Sequence, residues 1–253
     1  MLPHPLGLRL NPSAAHPPRE QIREAARLGA RGVVVDATGD FAPDAFSASG
    51  RRDLRALLRG AELSLIAVHL PTRRPFDTEA DLDDRLARAD RAFAMAYELG
   101  SRLILARVGP IPTAEDKPRS AALRGALAGL GQRADHRGVR LAIEVGGEPT
   151  PGFRALLDEL DQPGLATSLD PGAQLSRGYR PSEAATTLGP TLAHAYATDP
   201  AATGRRDAPP LDWAEYLAGL EQADYRGFLT VWPDPAGGVE AQFRAASSHA
   251  KVL

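Results

Sequence analysis

Two carboxylates stand where short apolar runs end, and side chains of this type can do acid–base or metal chemistry. Glu144 ends the run Leu-Ala-Ile-Glu before Val-Gly-Gly, and Asp170 ends Ser-Leu-Asp before Pro-Gly. Such a pair can act as general acid and base, or it can bind a divalent metal. We predict that Glu144 and Asp170 are the catalytic residues, and the same two side chains are the candidate metal ligands.

Other polar and aromatic side chains occupy equivalent positions at the carboxyl ends of apolar runs and form a candidate substrate-binding set. Arginine can pair with the carboxylates or bind a substrate carboxylate or phosphate through two parallel hydrogen bonds. Histidine can donate to a sugar hydroxyl, although backbone groups can satisfy a buried histidine equally well. Tyrosine and tryptophan offer flat faces for stacking. The predicted substrate-binding residues are Arg9, Asp36, His69, Arg107, Tyr196 and Trp232.

Eight apolar runs must position these residues. They recur at intervals that leave room for one strand, one helix and two loops. Their near-continuous apolar character is typical of parallel strands that are buried on both faces. The segments between them carry apolar residues at helical spacing, and a glycine precedes most runs, where a helix that ends and reverses needs left-handed backbone. The runs cover residues 6–10, 33–35, 63–68, 103–106, 141–143, 165–169, 192–197 and 228–231.

The number of repeats in this length favours a closed barrel. Eight strand–helix units within 253 residues fit a (β/α)8 TIM barrel of the α/β class, with eight parallel strands inside a ring of helices. The alternative is an open doubly wound sheet, but Asn-Pro-Ser follows the first run instead of a glycine-rich phosphate loop. We predict one domain over residues 1–253. The candidate residues then gather at the carboxyl-end mouth, where the strands run into the following loops.

Composition excludes several classes of function. The formal net charge of -2 provides no field that would attract nucleic acid or an anionic membrane. The absence of cysteine excludes disulfides, thiolate metal sites and a cysteine nucleophile. No apolar run is long enough to span a bilayer, and residues 1–10 lack the pattern of a signal peptide. We therefore expect a cytoplasmic protein without nucleic-acid or membrane partners, and a homodimer remains open.

Several motifs resemble the xylose isomerase-like sugar phosphate isomerase/epimerase superfamily, and together they extend from residue 22 to residue 232. They are Ala-Arg-Leu-Gly-Ala-Arg-Gly-Val-Val-Val-Asp at 26–36, Glu144 on the fifth strand, Leu-Asp-Pro-Gly-Ala-Gln at 169–174, His-Ala-Tyr-Ala-Thr-Asp at 194–199 and Asp-Tyr-Arg-Gly-Phe-Leu-Thr-Val-Trp at 224–232. The resemblance implies a TIM barrel that isomerises or epimerises a small sugar, sugar phosphate or sugar acid, with Glu144 as the candidate base.

The same resemblance implies a metal site, and this sequence departs from it. Members of the superfamily typically hold one divalent metal with two glutamates, an aspartate and a histidine. Glu144 and Asp170 match the first glutamate and the aspartate, but Tyr196 and Trp232 stand where the histidine and the second glutamate are expected. A further histidine common in the family corresponds to Ala173. We therefore expect no tightly bound metal, while weak binding of Mg²⁺ or Mn²⁺ stays open.

Three functions remain open at this point. The chain could be an isomerase or epimerase, a catalytically inactive barrel that still binds a sugar-like ligand, or a scaffold without a small-molecule site. If the metal is lost, the carboxylates need another cation, because carboxylates that share a partly desolvated site repel each other. We expect Arg107, alone or with Arg9, to lie within hydrogen-bonding reach of Glu144 or Asp170. Removing this arginine should cost roughly 1–3 kcal/mol of stability.

Overall fold

Eight parallel strands close into a barrel in which the strands pair in chain order and the last strand pairs with the first. The computed structural model describes residues 4–11, 17–113, 115–146, 148–202, 209–234 and 238–250. This architecture confirms the predicted TIM barrel. The strands are β1 (Leu6–Arg9), β2 (Gly32–Asp36), β3 (Ser64–His69), β4 (Leu103–Ala106), β5 (Arg140–Val145), β6 (Leu165–Leu169), β7 (Leu192–Tyr196) and β8 (Leu229–Val231).

Helices in the described residues pack their apolar faces against the outside of the strands. Where the structure describes the chain, none of these helices is both long and apolar enough to cross a membrane. The α-helices are α1 (Pro18–Leu28), α2 (Ala48–Gly60), α3 (Leu82–Leu99), α4 (Lys117–His136), α5 (Thr150–Leu160), α6 (Pro171–Leu175), α7 (Pro181–Leu188), α8 (Trp213–Gln222) and α9 (Val239–Ala250).

Some of the glycines that precede the strands have left-handed backbone, and others do not. Gly29 and Gly100 end α1 and α3 with left-handed backbone, at φ 87° and 91°, as the sequence predicts. Gly164 does not adopt positive φ, so the prediction of left-handed backbone is wrong at this position. A Cβ on Gly164 would lie 2.0 Å from the carbonyl oxygen of Gly131 in α4, so the close approach of that helix excludes a side chain.

The barrel interior is built from small and medium apolar side chains with polar residues above them. Because side chains alternate across a strand, the residue two positions after an interior residue also points inward, nearer the carboxyl end. The interior cluster comprises Val34, Ala67, Leu105, Ala142, Ala166 and Tyr196. Four of these positions lead directly to candidate residues: Val34 to Asp36, Ala67 to His69, Leu105 to Arg107 and Ala142 to Glu144. Strand alternation therefore places the polar layer at the carboxyl-end mouth.

Candidate functional site

The carboxyl-end mouth draws one candidate residue from each of the eight strands. The set consists of Arg9 on β1, Asp36 on β2, His69 on β3, Arg107 after β4, Glu144 on β5, Asp170 after β6, Tyr196 on β7 and Trp232 after β8. Register supports the arrangement, since Asp36 and His69 are direct partners across β2 and β3. The side chains of Arg9, Asp36, His69, Glu144 and Tyr196 are all buried and in mutual contact.

Arg9 lies at the centre of this network. Its Nε and Nη2 donate to the two carboxylate oxygens of Asp36, each at 3.0 Å. Nη1 donates to the hydroxyl of Tyr196 at 3.2 Å and lies 3.8 Å from Oε1 of Glu144. The guanidinium carbon also lies 3.8 Å from the ring centroid of Trp232, which covers one face of the planar group. Arg9 therefore supplies the positive charge that permits two buried carboxylates in one site.

His69 bridges the two acids on either side of the ring. Its Nδ1 lies 2.7 Å from Nη2 of Arg9 and 3.3 Å from Asp36 Oδ2, and its Nε2 lies 3.4 Å from Glu144 Oε2. Since Arg9 can only donate, the short contact requires an unprotonated Nδ1 and a hydrogen on Nε2. Burial lowers the pKa of His69, but Asp36 and Glu144 outweigh it and the net pKa is raised. On protonation, Nδ1 would turn from accepting from Arg9 to donating to Asp36.

Glu144 is held as a carboxylate. Tyr196 donates its hydroxyl to Oε1 at 2.7 Å. Burial opposes the charge, but His69, Tyr196 and Arg9 together lower the pKa of Glu144 to about 2. The second oxygen, Oε2, is buried and accepts no well-formed hydrogen bond in the described part of the chain. Its neighbouring N–H groups are Nε2 of His69 at 3.4 Å and Nε of Arg107 at 3.6 Å. The site thus contains an ionised acceptor with only long contacts to donors.

Tyr196 remains neutral between Arg9 and Glu144. Burial and the neighbouring charge of Glu144 raise its pKa well above the ordinary value. The phenol accepts from Arg9 and donates to Glu144, so both functions of the hydroxyl are used. The backbone carbonyl of Tyr196 accepts from the hydroxyl of Tyr216 in α8 at 3.0 Å, which fixes the end of β7. The hydroxyl of Tyr196 therefore links Arg9 to Glu144 through two hydrogen bonds.

Asp170 plays a different part from Glu144. Its Oδ1 caps α6 by accepting from the backbone N–H groups of Gly172 and Ala173, at 3.1 and 3.3 Å. Burial raises the pKa of Asp170, and the charge of Glu144 adds to this effect, while Ala173, Arg107 and Gly172 oppose it. The two predicted catalytic carboxyls are therefore unlike: the pKa of Glu144 is lowered, and the pKa of Asp170 is raised above its ordinary value.

Arg107 stands at the rim of the mouth. Its Nε lies 3.6 Å from Oε2 of Glu144, which is too long for a direct hydrogen bond. The side chain is 62% exposed, whereas that of Arg9 is 4% exposed. The prediction that Arg107 or Arg9 lies within hydrogen-bonding reach of Glu144 or Asp170 is therefore wrong for the described residues, since Arg107 is 3.6 Å and Arg9 is 3.8 Å from Glu144. The acid that Arg9 binds is Asp36, because Arg9 lies inside the barrel under Trp232, whereas Arg107 extends from the loop after β4.

A second polar layer lies directly beneath the mouth, and the sequence analysis did not identify it. Ser168 and Thr230 contact the two ring nitrogens of His194, at 2.8 and 2.9 Å. Burial lowers the pKa of His194 to about 3, so the ring is neutral. It packs edge-on against Tyr196, with centroids 4.6 Å apart. The signal was available, since these residues stand two positions before Asp170, Trp232 and Tyr196 on their strands.

Asn11 and Asp199 also follow apolar runs, but they organise loops. The backbone of Asn11 exchanges hydrogen bonds with the Gln21 side chain. Asp199 accepts from the backbone of Ala201 and Leu211 and from Nε1 of Trp213. Some polar residues at the ends of the apolar runs therefore lie in the mouth, and others make hydrogen bonds within the loops beside it.

The donor set does not fit a divalent metal. Asp36 gives both carboxylate oxygens to Arg9, and the guanidinium lies among the groups that would have to converge on an ion. Across the described ranges, no group of three or more His, Cys, Asp or Glu side chains has the arrangement of a metal site. A guanidinium beside these oxygens would repel a second cation. No step of the chemistry is therefore assigned to a metal.

The sequence matches one family model over most of its length. The family is described as Xylose isomerase-like TIM barrel, and the match covers residues 22–250. No curated protein sequence matches the chain.

Solved structures with similar folds include several sugar enzymes. A xylose isomerase domain protein from Planctomyces limnophilus superposes with a TM-score of 0.81 at 17% identity, covering 98% of this chain and 95% of that one. A D-psicose 3-epimerase gives 0.80 at 16% identity, with coverage of 97% and 96%. A 3-keto-D-glucoside 4-epimerase from E. coli gives 0.78 at 14% identity, with coverage of 97% and 99%. At these identities the likeness establishes the fold.

Proposed function

Because this chain belongs to the xylose isomerase-like TIM-barrel family, we propose that its carboxyl-end mouth binds a small sugar, sugar phosphate or sugar acid. Similar structures include epimerases described with D-fructose and with D-allulose, which are small polyhydroxy ligands. In this family of sugar isomerase/epimerase-like barrels, the loops after the strands are the usual place for a ligand.

The observation that supports the proposal is the unpaired oxygen of Glu144. A buried acceptor without a donor is costly, and the cost is greater when the group is charged. A ligand hydroxyl that donates to Oε2 would remove this cost on binding. Sugars present many hydroxyl donors on a compact frame, and Trp232 lies beside the same site. The mouth therefore suits a polyhydroxy ligand better than an apolar one.

Titration calorimetry with a panel of aldoses, ketoses, sugar acids and sugar phosphates tests the proposal. We expect at least one class to bind the wild type, and Glu144→Gln to weaken binding about tenfold or more, because hydrogen bonds to charged groups are the stronger ones. Glu159→Gln, an exposed change on α5, is the matched control and should bind as the wild type does. If no member of the panel binds the wild type, the proposal fails.

Isomerase or epimerase turnover is the second candidate function, and the raised pKa of Asp170 favours it. A general base works best with a pKa near the working pH. Glu144, with a pKa of about 2, is ionised but weakly basic, so Asp170, whose pKa is raised above its ordinary value, is the stronger base of the two. Glu144 would then orient the substrate, and Arg107 would stabilise negative charge on an enediolate oxygen. An inactive binding barrel is the alternative.

Exchange of substrate C–H hydrogen for deuterium in D₂O, followed by NMR, separates these alternatives. Turnover predicts exchange at a carbon next to the carbonyl, and Asp170→Asn should abolish it, because the amide oxygen can still cap α6 but the side chain no longer accepts a proton. A ligand that binds without exchange identifies an inactive binding barrel.

A further inference from the structure

The mouth contains two guanidinium groups, and only one of them is available to a ligand. Arg9 uses Nε, Nη1 and Nη2 in hydrogen bonds with Asp36, Tyr196 and His69, and its remaining Nη1 hydrogen faces Glu144. An arginine has five N–H hydrogens, so Arg9 has none left for a substrate. Arg9 is therefore a positioning residue.

Arg107, in contrast to Arg9, has N–H groups that are available to a ligand. Its side chain is 62% exposed, and the Nε–Glu144 distance of 3.6 Å leaves it without a direct hydrogen bond to that acid. Among the described residues, no acceptor lies within hydrogen-bonding distance of its N–H groups. A guanidinium with one edge toward a carboxylate keeps a second edge for an anionic oxygen. Arg107 thus offers donors on the solvent side of the network.

The unsatisfied donor and the unsatisfied acceptor are neighbours. Oε2 of Glu144, which accepts no well-formed hydrogen bond, is the atom that lies 3.6 Å from Nε of Arg107. A ligand that satisfies both must bring an O–H group and a negatively charged oxygen close together. Oxygen atoms on adjacent carbons of a ligand meet this requirement, because they lie close enough together for one to donate to Oε2 of Glu144 while the other accepts from Arg107. An α-hydroxy carboxylate has this arrangement, with the hydroxyl on the carbon that carries the acid.

Resting on the proposed function, we propose that the mouth recognises the α-hydroxy carboxylate end of a sugar acid. Glu144 Oε2 accepts from the α-hydroxyl, and Arg107 binds the carboxylate. A neutral sugar would leave Arg107 without an anion to bind. A phosphate monoester would bring close to two negative charges beside Glu144, with one free guanidinium to balance them. The charges of the site therefore favour a ligand with a single negative charge.

Calorimetry at constant ionic strength compares aldonates of increasing chain length with the matching alditols and the matching aldose phosphates. We expect one aldonate to bind at least about tenfold more tightly than its alditol. Arg107→Met should remove this difference between the aldonate and the alditol. Arg102→Met is the matched control, because Arg102 precedes the same strand at its opposite end and contacts Tyr97, so the preference should persist.

Each calorimetric result supports or overturns the assignment of a sugar acid. Equal affinity for aldonates and alditols, or a preference that survives in Arg107→Met, overturns the assignment of a sugar acid while leaving the proposed sugar site intact. Tighter binding of aldose phosphates at the same ionic strength replaces the carboxylate with a phosphate ester and overturns it too. If neither aldonates, alditols nor phosphates bind the wild type, the proposed function fails first.

Discussion

Arg9 and Arg107 carry the same charge in different surroundings, so their removal has different costs. Arg9 is buried among Asp36, His69 and Tyr196, and the loss of its side chain would leave Asp36 charged without a partner. Stranding a buried charge is among the most destabilising single changes. Arg107 is mostly solvated and makes one long ionic contact, which is the type of pair that contributes little. The cost of roughly 1–3 kcal/mol expected for removing Arg107 is therefore too high for this exposed side chain, and we expect a larger cost at Arg9.

Arg9→Met should lower the free energy of unfolding by about 3 kcal/mol or more, whereas Arg107→Met should lower it by less than about 1 kcal/mol. Urea unfolding of the two variants measures both values. The double variant Arg9→Met/Asp36→Asn should recover part of the loss, since it also removes the stranded charge. Equal losses for the two arginine variants would contradict the different roles.

The pH dependence of stability provides a test of Glu144. Its pKa falls from 4.5 to about 2 on folding, so the folded state favours the carboxylate. The resulting stabilisation is fully present above about pH 4.5 and is lost as the pH falls toward about 2. The shift corresponds to about 3 kcal/mol. Glu144→Gln lacks this contribution, so the gap in unfolding free energy between wild type and variant should narrow as the pH is lowered. A gap that stays constant would refute the depressed pKa.

At the scale of elements, each strand places one polar side chain in the mouth and one helix cap holds the second acid. Asp170 ends β6 and at once caps α6, so its Oδ1 is fixed by two backbone donors. The capping role uses one oxygen and leaves the other for chemistry. The position of Asp170 between β6 and α6 therefore fixes the orientation of its carboxyl group. Burial raises the pKa of this group.

Asp170→Ala should cost about 1 kcal/mol of stability through the lost cap, and Asp170→Asn should cost only a few tenths. Thermal unfolding of the two variants makes the comparison. If both variants lose the same stability, the cap does not account for the position, and the charge of Asp170 would have to contribute instead.

The sequence predicted the strands because eight buried parallel strands leave eight separate apolar runs, and the polar residues that end them follow by alternation. It could not tell Arg9 from Arg107, since both stand near the carboxyl end of such a run. Burial of Arg9 depends on Tyr196, 187 residues further along the chain, and on Trp232. The layer of Ser168, His194 and Thr230 was missed because interior polar residues resemble ordinary strand residues in sequence.

At the scale of the whole molecule, closure of the barrel pairs β1 with β8 and places the guanidinium of Arg9 against the ring of Trp232. The metal prediction belongs to this scale, because ligands for an ion would have to come from several strands at once. We expect the purified protein to carry well under about one divalent metal ion per chain after dialysis against chelator. Elemental analysis gives the count. Stoichiometric Mn²⁺ or Zn²⁺ that survives this treatment would contradict the prediction, whereas weak Mg²⁺ binding would not.

The position of Arg9 on the first strand has a consequence for synthesis on the ribosome. Arg9 and Asp36 emerge early, while Tyr196 and Trp232 emerge only with the last two strands. Until then the guanidinium has its acid but not its aromatic cover, and β1 has no β8 to pair with. A nascent chain halted before β7 therefore presents a charged, hydrated centre where the finished protein has a buried one. The complete site therefore forms only when β7 and β8 have joined the barrel.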